Sequence, residues 1–250
     1  HGPMIILELP SKSLKPKVRI RPDSSRMKMF DRLMQKVQEH QIEKSRKKYR
    51  MSEGQQYMNH LRAWWVMDTT GMRLAEVWTL TLKSFKLMQR EITVKNLDTD
   101  GGRDNQGKNF RIRFRLKGKN RTRKTVGIPE DLAAFLEMDL NNRGKKEKWY
   151  LDRGDGSNQY TLADSLGTAI QRHWKALGLS HEAKRCHGSR ASVLTELTEE
   201  NPWMAKQQAG HTQISTTIEN YAGENLEKVK DLLNKTRSQY REKALEMARK

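Results

Sequence analysis

Cys186-His187-Gly188-Ser189-Arg190, then a helical run, then Ala209-Gly210-His211-Thr212, and ten positions after His211 a tyrosine, Tyr221: this stretch decides how the rest of the chain is read. It offers two imidazoles, a guanidinium and a phenol, an odd set for an apolar core and a useful one for a phosphodiester. Arg190 can grip two phosphate oxygens at once. His187 and His211 can move protons or donate hydrogen bonds near neutral pH. Tyr221 can act as a nucleophile that becomes covalently attached. A second fixed cation is missing from the stretch, and the chain supplies one upstream in Gly71-Met72-Arg73-Leu74-Ala75-Glu76.

Arg73 in a Gly-x-Arg-x-x-Glu turn, followed by His187-x-x-Arg190, Gly210-His211 and Tyr221, resembles the tyrosine recombinase (phage integrase) family in order and spacing. Each piece alone is weak; four in order, with a basic hairpin between the first and second, are specific. The resemblance covers roughly residues 23–222. It implies an α+β, mainly α-helical catalytic domain with a small antiparallel three-stranded sheet at one edge. It also implies site-specific cleavage and rejoining of double-stranded DNA through a 3′-phosphotyrosine, without a cofactor or metal. By that resemblance Arg73, Arg190 and His211 bind the scissile phosphate, Glu76 braces Arg73, His187 is the base, and Tyr221 is the nucleophile. The family's catalytic lysine belongs in the hairpin turn, where Lys117 ends a strand and Lys119 is the alternative. The family also implies monomers that become tetramers on synapsed DNA, in the bacterial cytoplasm and on the nucleoid. The same residues would serve a type IB topoisomerase or a telomere resolvase, and charge alone would permit a non-catalytic DNA-binding protein.

Composition bounds the reading independently. In 250 residues, 49 Lys and Arg against 30 Asp and Glu give a formal charge of +19, which points to a polyanion. No apolar run approaches a membrane span, and a single cysteine, Cys186, excludes an internal disulfide. His173, His181, Cys186 and His187 match no usual metal-ligand spacing, so no metal site is expected.

Three segments are expected. Residues 1–22 read as a tag scar (His1-Gly2-Pro3) and a basic arm with three prolines, 23–222 as the catalytic domain, and 223–250 as a helical tail. Fewer than twenty-five residues precede the first helix, which fits a catalytic half separated from a preceding DNA-clamping domain. Within 23–222, Asp23-Ser24-Ser25 can cap a helix with Phe30, Leu33, Met34 and Val37 on one face. A second helix starts near Ser52, and its paired Trp64 and Trp65 read as core. Residues 91–95 read as a strand, 96–108 as a long polar loop. Phe110, Ile112, Phe114 and Leu116 then alternate with Arg111, Arg113, Arg115 and Lys117, a strand with one apolar and one basic face. Gly118 to Arg121 is expected to turn it back into Lys124–Ile128, with Arg111, Arg113, Arg115, Arg121 and Lys124 touching DNA phosphates. Thr161 is expected to cap a helix whose buried stripe is Leu162, Leu166, Ile170, Trp174 and Leu177, stopped by Gly178. The tail carries a narrow apolar stripe, Leu226, Val229, Leu232 and Leu233, that needs a surface, either its own domain or a neighbouring protomer.

Overall fold

A computed structural model of the chain describes residues 22–40, 51–104, 106–117, 122–143, 148–153, 160, 162–179, 187–209, 230–231 and 233–235. Helix α1 (Asp23–Glu39) buries Met29, Phe30, Leu33 and Met34. Pro22 occupies its cap position without a side-chain bond, and the Asp23 carboxylate accepts from Arg26 instead of capping backbone. Helix α2 (Glu53–Thr70) is capped by the Ser52 hydroxyl, which accepts from the Gln55 N–H at 3.2 Å. Almost every residue in its second half is buried, because α1 and other elements cover it on several sides. Trp64 and Trp65 are fully buried, and Phe30 meets the Trp65 ring edge-on at 4.9 Å.

After the short helix α3 (Leu74–Trp78) the chain enters two small sheets. Strands β1 (Phe85–Lys86), β2 (Glu91–Lys95) and β5 (Arg123–Gly127) form an antiparallel three-stranded sheet in the order β1-β2-β5. Between β2 and β5 lies a separate ribbon, β3 (Leu97–Arg103) paired antiparallel with β4 (Asn109–Phe114). Two sequence expectations are corrected here. The polar loop expected over 96–108 is largely strand β3. The basic strand β4 turns back on β3 and does not hairpin into β5, which pairs with β2 instead, Val94 opposite Lys124.

The ribbon forms despite its polar sequence because its few features fit together. Asp104 organises the turn, its carboxylate accepting from the Gln106 and Lys108 N–H groups at 2.8 and 2.9 Å. Gly101 lies beneath the Phe110 ring, where a Cβ would come within 2.4 Å of the ring, so any larger residue would push that ring aside. The alternation read in β4 holds, with Ile112 and Leu116 inward and Arg111, Arg113 and Arg115 exposed.

Helix α4 (Glu130–Asn141) buries Leu132, Phe135 and Leu136. Helix α5 (Ala163–Ala176) buries Leu166, Ile170 and Trp174 and ends at Gly178 with φ 72°. Leu162, expected on its buried stripe, instead stands at the cap position, 64% exposed; Thr161 lies outside the described residues. These elements share one large core. Helices α6 (His187–Glu200) and α7 (Pro202–Ala209) add a smaller cluster of Val193, Leu197 and Ala205. Leu233 from the tail completes that cluster, and the Asn234 carboxamide accepts from the Glu130 N–H at 2.6 Å at the start of α4. The described part of the tail thus packs on its own chain.

Candidate functional site

The site is built where α2 ends. Gly71 closes the helix in the left-handed conformation (φ 68°), its N–H donating to the Met67 carbonyl. A Cβ there would approach Val193 of α6 to 3.3 Å, so glycine satisfies both the turn and a close helix approach. The turn brings Arg73 to the cap position of α3 and Glu76 one turn on. Glu76 oxygens accept from the Arg73 backbone N–H at 2.8 Å and from its guanidinium at 3.1 Å.

Arg190 arrives from the first turn of α6. Its guanidinium donates to the Gly71 carbonyl at 2.7 Å and to the Ala209 carbonyl at 2.9 Å, tying the α2–α3 turn to the end of α7. Carbonyls at a helix C-terminus carry partial negative charge and suit a cation. Burial lowers the pKa of Arg190 to about 10, with Arg73 adding to the shift and Glu76 opposing it. Two positive groups from segments more than a hundred residues apart are therefore close enough to feel each other.

A third cation joins them. Lys124 on β5 donates to Glu76 at 2.8 Å, and both side chains are 1% exposed. Burial pushes the Glu76 carboxyl up, but the adjacent Lys124 and the Arg73 N–H outweigh it and hold it below the usual carboxylate range. Burial lowers Lys124, opposed by Glu76 and aided by Arg190 and Arg73. Among the described residues that face Glu76, three cations share one carboxylate, a suitable field for a phosphate.

Other residues hold this geometry. Asp68, late in α2, accepts from the Ser189 hydroxyl at 3.1 Å and lies 3.6 Å from Arg26, whose guanidinium also reaches Ser192 and Glu196. This network fastens the start of α6 beside the Arg73 turn. Gln208 donates to the carbonyls of Thr70 and Gly127 and accepts from the Gly127 N–H, locking α7 to β5 and to the end of α2. Asp68, Gln208 and Arg26 were not singled out in the sequence, since nothing local marks a residue whose partners are this remote.

Of the expected site residues, Arg73, Glu76 and Arg190 are brought together. Lys124, expected on a DNA-facing surface, is buried among them, a correction with a simple cause: on β5 it shares the inward face with Val126 while Arg123 points out. Lys117 is exposed beyond the end of β4, and Arg111, Arg113 and Arg115 line the open face of the ribbon. His187 is the first residue of α6, its side chain outside the described set. Lys119, Arg121, His211 and Tyr221 lie outside the described residues. No group of three or more His, Cys, Asp or Glu side chains is placed to hold a metal ion among the described residues. No described helix is long and apolar enough to cross a membrane.

A mainly helical domain with an edge sheet and a converging arginine pair is the arrangement that the sequence resemblance leads one to expect. A model of the phage integrase family matches residues 32–228, and the chain belongs to that family. No match is found among curated proteins. Among solved structures, the chain resembles that of XerA recombinase, with a TM-score of 0.51 and 14% identity over 92% of this chain and 67% of that one. The Tn1549 transposon integrase in complex with transposon right-end DNA gives 0.53 and 17% over 87% and 68%. The same integrase with a circular-intermediate DNA gives 0.50 and 19% over 84% and 63%. At these identities the likeness speaks for the fold, and family membership speaks for a DNA recombinase of the tyrosine type.

Proposed function

We propose that this chain cleaves and rejoins DNA at a specific sequence through a covalent link between Tyr221 and a 3′-phosphate. The observation that supports this most is the convergence of Arg73 and Arg190, with Glu76 bracing Arg73. A phosphodiester resists attack because its charge repels nucleophiles and its leaving alkoxide is basic. Two arginines at the non-bridging oxygens, with His211 as a further donor, offset the charge that builds in the transition state. The Tyr221 oxygen attacks phosphorus in line while His187 accepts the phenol proton. The bond to the 5′ oxygen breaks, and Lys117 or Lys119 delivers a proton to it. The phosphotyrosine keeps the bond energy, so a 5′ hydroxyl from another strand reverses the step and completes the exchange.

On this reading exchange takes place in a tetramer on two synapsed duplexes, formed from monomers on DNA in the bacterial cytoplasm. Residues 23–222 act as the catalytic domain. The ribbon arginines Arg111, Arg113 and Arg115, with Arg121, contact phosphates and fix register without reading sequence.

The test uses a pool of nicked duplexes with a randomised core, from which sequences that react with the wild-type protein are recovered as covalent adducts. The wild type forms adducts that persist in EDTA. Tyr221→Phe keeps its affinity for the recovered duplexes and forms none. Adducts that survive the substitution, or that vanish with EDTA, contradict the proposal.

A further inference from the structure

Lys124 lies on a strand whose neighbouring basic residue, Arg123, faces solvent, yet its own ammonium is turned inward onto Glu76. The Glu76 carboxylate has two oxygens and three donors. One oxygen takes the Arg73 guanidinium at 3.1 Å; the other takes both the Arg73 backbone N–H and Lys124, each at 2.8 Å. We propose that Lys124 is a positioning residue for strand cleavage, acting through Glu76 to hold Arg73 at the angle and charge the scissile phosphate requires. The inference rests on the phosphotyrosine reading above.

Three observations carry it. First, the terminal torsion of a glutamate is soft, and the other two donors to this carboxylate both belong to Arg73, so they tie it to that residue alone. Lys124 ties the oxygen it shares with the Arg73 N–H to strand β5, so the guanidinium on the other oxygen is anchored to the sheet as well. Second, Lys124 is buried too deeply to be a DNA contact, its side chain 1% exposed. A buried ion pair is a poor device for stability alone, because desolvation offsets its attraction. Third, the pair sets the charge of the pocket. Without Lys124, the Glu76 carboxylate would lose the buried cation that now shares it with Arg73. With it, the carboxylate is shared and both arginines keep a net positive field.

Burial, with Arg190 and Arg73 close by, draws the Lys124 ammonium below the ordinary lysine range, Glu76 acting against that. The described charged groups facing it are Glu76 and Arg73 from the α3 turn and Arg190 from α6; its cross-strand neighbour on β2, Val94, is uncharged. Lys124 is charged at low pH and loses its proton as pH rises, so Arg73 loses its brace on the alkaline side.

The experiment measures adduct formation on the recovered nicked duplexes, affinity for the matching intact duplex by anisotropy, and thermal melting. It compares the wild type with Lys124→Met, Lys124→Arg, Glu76→Gln and the Glu76→Gln/Lys124→Met double variant. Lys124→Met slows adduct formation by about tenfold or more, the scale of a lost coupling between buried neighbours, with affinity little changed. Lys124→Arg restores most of the rate and moves the alkaline fall in rate to higher pH, since a guanidinium stays charged. The double variant is no slower than Glu76→Gln alone.

A wild-type rate in Lys124→Met overturns the inference. So does a Lys124→Arg variant as slow as Lys124→Met with an unshifted profile, or a double variant in which the two losses multiply. If the wild type forms no adduct, or Tyr221→Phe still does, the phosphotyrosine reading falls and takes this inference with it. If those two proteins behave as stated and the Lys124 variants match the wild type, this inference alone fails.

Discussion

The arginine pocket and the β3–β4 ribbon are both rich in positive charge, yet they hold it in opposite ways. In the pocket each cation is fixed by something rigid: Arg190 by two backbone carbonyls, Arg73 and Lys124 by one buried carboxylate. On the ribbon, Arg111 and Arg113 are exposed and share Asp98 at 2.9 and 3.6 Å. Exposed pairs contribute only about 0–1 kcal/mol. The pocket has therefore lost side-chain freedom during folding, whereas the ribbon arginines keep theirs; on the proposed function the first receives a phosphate and the second follows a DNA backbone. The first arrangement suits a transition state; the second suits affinity.

That contrast is broken most forcefully at Arg190. Arg190→Ala should slow adduct formation by about 10²–10³, the loss expected for one preorganised donor, while changing duplex affinity only a few-fold. An equal loss of both would place Arg190 in binding alone. Next comes the network that aligns the helices. Arg26→Met removes a buried cation that faces Asp68 and Glu196, and unfolding free energy should drop by about 3–5 kcal/mol, read as a lower denaturant midpoint. An unchanged midpoint would mean α6 is held by its apolar packing.

A milder effect lies at the His60–His173 pair, whose ring nitrogens are 3.0 Å apart and buried between α2 and α5. Burial lowers both imidazoles: His60 further by His173 and Arg172, and His173 by Arg32 and Lys36. Their folded pKa values lie below the unfolded value near 6.5. Their contribution is thus complete above that pH and is lost as pH falls toward the folded values. Thermal stability should decline on acidification below about pH 6.5, and His173→Gln should flatten the slope. A slope identical in that variant would assign acid sensitivity to other groups.

The smallest change belongs to the ribbon. Arg111→Gln with Arg113→Gln should leave melting within about 0.5 kcal/mol of wild type and lower the salt dependence of duplex binding by about one unit of slope per lost phosphate contact. A cleavage defect larger than the binding defect would move the ribbon into the pocket's category.

Much of this was legible in the sequence. Gly71, Arg73 and Glu76 announce themselves because a left-handed cap and a reciprocal cap bond are local events. The paired tryptophans of α2 and the alternation of β4 follow from periodicity. What stayed hidden was pairing. Leu97-Asp98-Thr99-Asp100-Gly101-Gly102 has the composition of a loop, and only the Phe110 ring over Gly101 and the Asp104 turn make it a strand. Without β3, β4 had no partner in view except β5. Lys124 was misjudged for the same reason. Its place beside Val126 and Ile128 in period two was available as a signal, but a run of basic residues from Lys117 to Lys124 reads as a single DNA-facing surface until β5 is paired with β2.

The central claim is that a phosphate held by this arginine pair is attacked by Tyr221. Digesting the covalent protein–DNA adduct with trypsin and nuclease, then sequencing the modified peptide by mass spectrometry, tests it most directly. The account predicts a 3′-phosphonucleotide on Tyr221 within the peptide spanning residues 207–228. A nucleotide on any other side chain, or one joined through its 5′ phosphate, would contradict it.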